Sequence, residues 1–328
     1  MNEHLTPKKI YDGVIAGEIS RKLAQSQLIS LIEGSNLPKW RSKAIVIVKQ
    51  LNFRELEIYK VIENALLSDE SAMVRNSAVE LICADFFNEG LKSLIWVLEH
   101  EQSPLVLNTI YKSIRWNPSN SKERLYNAYR QIFLNIGNSI GIDISEVPFI
   151  LELESIFAKN YDNYNIELKS YLYFKQLRDS IWHDPWLEIQ DNHIISLTLN
   201  FLNWNYIKNN LERIESILKM EHLYLYLEAL RNFNIIKPQI FKIPKSIENL
   251  TFLKTLDLSN NGLLKMPDNI GKLLQLEKLF LANNKLSTIP KAIFTLPSLK
   301  VLDIRDNELL NLENNLSYLT NTLKIYRS

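Results

Sequence analysis

From residue 20 to residue 114, apolar side chains recur every three to four positions, the period that lays one face of an α-helix against a core. Ser20 stands before a stripe of Leu23, Leu28, Leu31 and Ile32, and Gly34 follows it. A hydroxyl at the N-cap and a glycine beyond the last turn are helix start and stop signals. Pro38 opens the next segment, with Trp40, Ala44, Ile45, Val48 and Leu51 at helical spacing. Leu56, Tyr59, Ile62, Ala65 and Leu66 make a third stripe, and further helices are predicted over 71–84, 88–100 and 103–114. Short links between helices of this length predict antiparallel hairpins stacked in a row. Residues 118–186 stay helical but lose the period. Here 117–121 reads as a loop, 122–136 as an amphipathic helix ending near Gly137, and 148–159 and 167–182 as two more helices. They read as a bridge to the second half of the chain.

The first half also repeats weakly. Ser71-Ala-Met-Val74-Arg75-Asn76 aligns with Ser103-Pro-Leu-Val106-Leu-Asn108, and Trp40-Arg41-Ser-Lys-Ala44-Ile45 with Val74-Arg75-Asn-Ser-Ala78-Val79. A Val-Arg-x-x-Ala-Val start to the first helix of a pair resembles HEAT repeats. That resemblance implies an α-solenoid over 1–117, in which each helix pair buries its apolar face against the next. The alternative is an all-α bundle without a repeat.

The second half carries a sharper repeat. Leu253-x-x-Leu256-x-Leu258-x-x-Asn261-x-Leu263-x-x-Met266-Pro267-x-x-Ile270-x-x-Leu273 recurs 23 residues on as Leu276, Leu279, Leu281, Asn284, Leu286, Ile289-Pro290, Ile293 and Leu296. A third copy runs Leu299, Leu302, Ile304, Asn307, Leu309, Leu312, Leu316 and Leu319, without the proline. Alternating leucines point inward from a short strand, and the residues between them point out. Asn261, Asn284 and Asn307 fall where the chain turns off the strand, and a side-chain amide there can satisfy backbone groups that the turn leaves unpaired. The pattern is identified as a leucine-rich repeat and resembles the 23-residue intracellular, Ras-associated class. The resemblance implies a repeat domain over 187–328, with regular copies in 253–321 and degenerate ones in 187–252.

Within the degenerate part, Trp186–Ile189 and 193–199 read as a β-hairpin around an Asp191-Asn192 turn. The second arm fits the repeat as Ile194-x-x-Leu197-x-Leu199, and Met220-x-x-Leu223-x-Leu225 fits as another strand. The next strand then needs an insertion within 228–239. The rival alignment, Leu230-x-x-Phe233-x-Ile235, keeps the spacing but puts Pro238 at the Asn position. A last strand is predicted near 323–326. The fold class is thus an α+β repeat protein, a helical solenoid followed by a leucine-rich repeat solenoid with a short parallel sheet.

Composition narrows the function. Lys+Arg is 38 against Asp+Glu 37, a net charge of +1, which argues against a general nucleic-acid binder. A single cysteine, Cys83, excludes an internal disulfide and a thiolate-rich zinc site. The polar first residues lack a secretory core, and the longest apolar runs fall well short of the ~20 residues that span a bilayer, so a cytoplasmic protein without a membrane span is expected. The five histidines show no ligand spacing, and no metal or cofactor is expected. Gly271-Lys272 lacks the hydroxyl residue and the upstream glycine of a phosphate loop, and Gly137-Asn-Ser-Ile-Gly141 reads as a helix end.

What remains is surface. Thr198, Tyr224, Asp257, Phe280 and Asp303 are the central outward positions of the predicted strands, with Tyr226, Lys254, Lys278, Arg305 and Asp306 beside them. Aromatic residues amid charges make the composition of a protein-binding face. Tyr224, Tyr226, Asp257, Lys278, Phe280, Asp303 and Arg305 are therefore the expected binding residues, with no catalytic residues. The two aspartates are expected to favour a basic or amide-rich partner. The reading is a non-enzymatic scaffold or adaptor, and the Ras-associated resemblance implies a small GTPase or its regulator as partner. The alternative places a ligand-binding or catalytic site in the aromatic-rich stretch 161–186, with the repeats as targeting module.

Overall fold

A computed structural model describes residues 6–115, 122–162, 187–199, 242–307 and 323–327. The chain divides into two compact units. One is Met1–Ile132 with Ser155–Ser170, and the other Phe133–Glu154 with Tyr171–Ser328.

The first unit is helical. Its described elements are α1 (Pro7–Ile15), α2 (Arg21–Gly34), α3 (Pro38–Gln50), α4 (Leu56–Ser68), α5 (Ala72–Asp85), α6 (Phe87–His100) and α7 (Pro104–Arg115), followed by the first half of α8 (Lys122–Ile140). Helix α1 was not anticipated, although Thr6 and Pro7 announce it. The Thr6 hydroxyl accepts the Lys9 N–H, and Pro7 occupies the first turn. Ser20 caps α2 as its position predicts, accepting the Leu23 N–H at 3.2 Å. The buried stripe of α2 is Ala24, Leu28 and Ile32, while Leu23 is exposed, as is Leu56 at the start of α4.

Helices α3, α5 and α7 pack side by side, and so do α2, α4 and α6. The Arg-bearing helices α3 and α5 pack on the helices preceding them, α2 and α4, so each is the second helix of its pair rather than the first. The arginines of the internal repeat do the same work twice. Arg41 donates Nε and Nη2 to the Asp69 carboxylate at 2.7 and 2.8 Å, and Nη1 to Ser35 O. Arg75 donates Nε and Nη2 to Glu101 at 2.8 and 3.0 Å, and Nη1 to Asp69 O and Glu70 O. Each planar fork ties an acid at one helix end to the carbonyls of the preceding link.

The second unit opens with the turn between α8 and α9 (Val147–Asp162). Helix α8 does not stop at Gly137. It runs through to Ile140 and ends at Gly141, whose φ of 85° suits the left-handed stop. Beyond it lies one six-stranded sheet in sequence order: β1 (Leu187–Gln190), β2 (His193–Thr198), β3 (Thr255–Asp257), β4 (Lys278–Phe280), β5 (Val301–Asp303) and β6 (Lys324–Tyr326). The β1–β2 pair is an antiparallel hairpin whose turn residues Asp191 and Asn192 have φ of 51° and 63°, as a two-residue turn of this hand requires. All later pairs are parallel.

Strand β2 pairs directly with β3, with Lys254 N donating to Ile195 O and Leu199 N to Asp257 O. Directly bonded strands sit ~4.8 Å apart and leave no room for a third. The strand expected at 220–225, like its rival at 230–235, falls outside the described residues, as do 163–186 and 308–322.

The core of the repeats is Leu253, Leu256, Leu258, Leu263, Leu276, Leu279, Leu281 and Leu286, all 0–1% exposed. The repeat asparagines are buried beside it. Asn284 donates Nδ2 to Leu281 O of its own repeat and to Leu258 O of the previous one, both at 3.0 Å, while its Oδ1 accepts the Leu263 N–H at 3.1 Å. Asn307 repeats these bonds one copy later, to Ile304 O, Leu281 O and Leu286 N. Asn261 donates to Leu258 O and back to Leu199 O, just beyond β2. The residue before each is Asn260, Asn283 or Asp306, with φ of 61°, 54° and 55°. Asn and Asp are the side chains that best tolerate this left-handed region. On the outer side of the repeats, a Cβ on Gly271 would lie 2.6 Å from Ala292 Cβ, in the short helix α10 (Lys291–Phe294). Repeat stacking therefore explains Gly271-Lys272.

The α8–α9 turn closes the hairpin end of this sheet. Asp143 N donates to Asn192 O at 2.7 Å. The Glu146 carboxylate, 1% exposed, accepts the Ile194 N–H at 3.1 Å and lies 3.4 Å from His193 Nδ1, whose ring stacks on Phe252. Burial pushes the Glu146 carboxyl up to about 7, against the partial opposition of Ile194 N–H and His193. Asp143 also faces it, held below the usual carboxylate range by the Ser145 hydroxyl and N–H.

Two outcomes follow from these bonds. Asn284→Ala leaves the buried Leu263 N–H unpaired, takes one of two side-chain donors from Leu258 O and Leu281 O, and should cost roughly 1–3 kcal/mol. Asn269→Ala removes one bond to Glu248 on the outer surface and should cost about 0.5 kcal/mol or less. Urea midpoints of the two variants compare them, and equal midpoints would contradict the assigned role of Asn284. At Glu146 the folded chain retains a proton that the unfolded chain has released above pH 4.5, so its contribution is complete below that pH and lost as pH rises through about 7. Glu146→Gln keeps an acceptor without the charge. Its unfolding free energy should fall less between pH 5 and pH 7.5 than the wild type's, by up to about 1.4 kcal/mol per pH unit. Parallel pH profiles would show that Glu146 is ionised throughout.

Candidate concave binding face

The outward positions of the parallel strands align in rows because every strand pairs in the same register. One row is Ser196, Thr255, Lys278, Val301 and Lys324, and the next is Thr198, Asp257, Phe280, Asp303 and Tyr326. The ladder holds them tightly, with Leu258 N donating to Phe280 O, Leu281 N to Asp303 O and Ile304 N to Tyr326 O at 2.7–2.9 Å. Of the expected binding residues, Asp257, Lys278, Phe280, Asp303 and Arg305 are thus brought together on three adjacent strands and the turn after β5. Tyr224 and Tyr226 lie outside the described residues.

Phe280 is half-buried at the centre of the band, and Lys278 is exposed two residues before it. Asp257 is half-buried and accepts the Ser259 N–H at 2.8 Å. Asp303 differs from expectation. It is 5% exposed, and its carboxylate takes Arg305 Nε at 3.0 Å and Nη2 at 2.6 Å. Arg305 holds that carboxyl below its usual range, and the guanidinium is raised in return. Asp303 is a buttress for Arg305 rather than a free anion, which removes half of the reason for expecting a basic partner. Arg305 projects from the face with its side chain 54% exposed, 5.6 Å from the Tyr326 ring centre.

Tyr326 and Lys324 were not singled out from sequence, yet both belong to the band. Tyr326 is 38% exposed, and Lys324 Nζ lies 5.2 Å from its ring centre. The signal was present, since Tyr326 follows Asp303 by the repeat length of 23. Earlier along the strands, Lys254, Glu277 and Lys300 line a further row, joined by Glu277 N donating to Lys254 O and Lys300 N to Glu277 O. Lys300 Nζ is 2.9 Å from the Glu277 carboxylate and holds it below its usual range, with smaller help from Lys254 and Lys278.

Among the described residues no group of His, Cys, Asp and Glu is placed to hold a metal ion. Glu146 beside His193 is the nearest approach to an acid–base pair, but its carboxylate is bonded to the Ile194 N–H. Cys83 is half-buried in α5. The stretch 163–186, most of the alternative site, lies outside the described residues. No described helix is long and apolar enough to cross a membrane.

A search of the curated proteins finds no match to this chain. A family model described as a leucine-rich repeat region matches residues 202–326, a span that contains β3, β4, β5 and β6. The chain carries a leucine-rich repeat region.

Proposed function

We propose that this protein is a non-enzymatic interaction scaffold or adaptor that binds a partner protein on the concave face of its leucine-rich repeats. The observation that carries the reading is the shared register of β3 to β6. It sets Asp257, Phe280, Asp303 and Tyr326 side by side on a face that no leucine of the core can cover. Two partly exposed aromatics within a rim of charges make an anchor and its surround. The helical unit, with its two layers of helices and its repeated Arg–carboxylate clamps, is read as a HEAT-like solenoid, a form that offers a second extended surface. The resemblance of the leucine-rich repeats to the Ras-associated class makes a small GTPase or its regulator the first partner class to test.

The test is capture of partners from the native cell by the full-length chain, followed by affinity measurement on the purified pair. Phe280→Ala should weaken binding about thirtyfold, the loss expected for a hot-spot residue, with the fold intact by circular dichroism. Lys291→Ala, in α10 on the opposite side of the repeats, should leave affinity unchanged. A partner that binds Phe280→Ala as tightly as wild type would move the docking surface to the helical unit.

A further inference from the structure

We propose that the occupant of the concave face is an acidic, extended segment of a partner protein, lying across the starts of the strands. This rests on the reading of that face as the docking surface and adds the chemistry of what docks.

The charges on the face are sorted by position along the strands. At the strand starts stand Lys254, Lys278, Lys300 and Lys324, all exposed, on four successive strands. Backbone bonds fix their order: Glu277 N to Lys254 O, Lys300 N to Glu277 O and Lys324 N to Lys300 O, each 2.8 Å. Glu277 is the one acid in these rows, and Lys300 already engages it. Lys254, Lys278 and Lys324 form no ion pair among the described residues. At the strand ends the signs mix. Asp303 is consumed by Arg305, and Asp257 and Asp306 lie on that side. In register with Asp257 and Asp303 stand Phe280 and Tyr326, while Val301 lies between Lys278 and Lys324 in the row before them. The face therefore asks for carboxylates at the strand starts and an apolar side chain one outward row further along the strands.

The spacing suits an extended chain. Lys278 and Lys324 share a row two strands apart, as do Lys254 and Lys300. Two strand spacings are roughly 9.6 Å, about the reach of three extended residues. Acids at every third position would meet successive lysines, with the intervening side chains free to reach Phe280. A protein segment is favoured over a nucleic acid by the aliphatic Val301 between Lys278 and Lys324 and by the carboxylate of Glu277 in the row before it, which break the run of cations that a continuous phosphate backbone would follow.

The experiment selects random dodecapeptides displayed on phage against the full-length chain, then measures synthetic copies of the winners by fluorescence anisotropy. Selected sequences should be enriched in Asp and Glu over the library. Their affinity should fall at least tenfold in the Lys278→Glu, Lys324→Glu double variant and also between 50 and 300 mM NaCl. The milder Lys278→Ala, Lys324→Ala pair should lose less, in the same direction, and circular dichroism checks that both variants fold. Winners without acidic enrichment, or acidic winners that bind the charge-reversed chain as well as wild type, overturn the inference. Neutral winners that still depend on Phe280 would overturn it while leaving the concave face as the docking surface. Winners indifferent to Phe280 and to the lysines would remove both. A single-stranded oligonucleotide that competes for the same lysines more tightly than the peptides would replace the protein segment with a nucleic acid.

Discussion

The side-chain amide of a buried asparagine holds the repeat region in register. Strands of three residues cannot satisfy their own backbone at the turn that leaves them. Asn284 and Asn307 supply what the turn lacks, donating to carbonyls of their own and the preceding repeat and accepting an N–H from that preceding repeat. Because each amide reaches backwards to a fixed position, neighbouring copies cannot slip. Leucines then fall on leucines, and outward residues fall into rows. The ordered outward face of the sheet is a consequence of that polar ladder as much as of the hydrophobic core beneath it.

The helical unit meets the same need with a different group. Arg41 and Arg75 each span a carboxylate at one helix end and carbonyls in the link before their own helix. A guanidinium has enough donors in one plane to do both at once, which a lysine has not. In both units polar side chains, the repeat asparagines in one and Arg41 and Arg75 in the other, join backbone segments that helix or strand bonding leaves open. Apolar burial drives the elements together, and these side chains decide which alignment is acceptable.

Along the concave face the same economy divides charged residues into structural and available ones. Asp303 faces outward by register yet is withdrawn from solvent by Arg305, which thereby becomes a positioned cation. Glu277 is occupied by Lys300. Counting charges along the strands suggests a balanced surface, whereas the pairing leaves the strand starts basic and the strand ends mixed.

The repeat length, the inward leucines, the structural asparagines, most of the helices of the first half and the Asp191-Asn192 hairpin were legible in the sequence, whereas which helices pair was not. Each is written in local periodicity or in the dihedral preference of one or two residues. Even Tyr326 was implied by counting one repeat beyond Asp303. The pairing of β2 with β3 was not legible, because strands more than fifty residues apart choose partners by backbone geometry that no spacing records. The passage of α8 through Gly137 was hidden because a glycine signals a stop only where the following chain leaves the helix, and here it leaves at Gly141. The burial of Glu146 against Ile194 and the capture of Asp303 by Arg305 were likewise decided by tertiary structure. A carboxylate's role depends on which donors the fold brings within about 3 Å of it, and that is set by the packing of distant or alternating positions rather than by the residue itself.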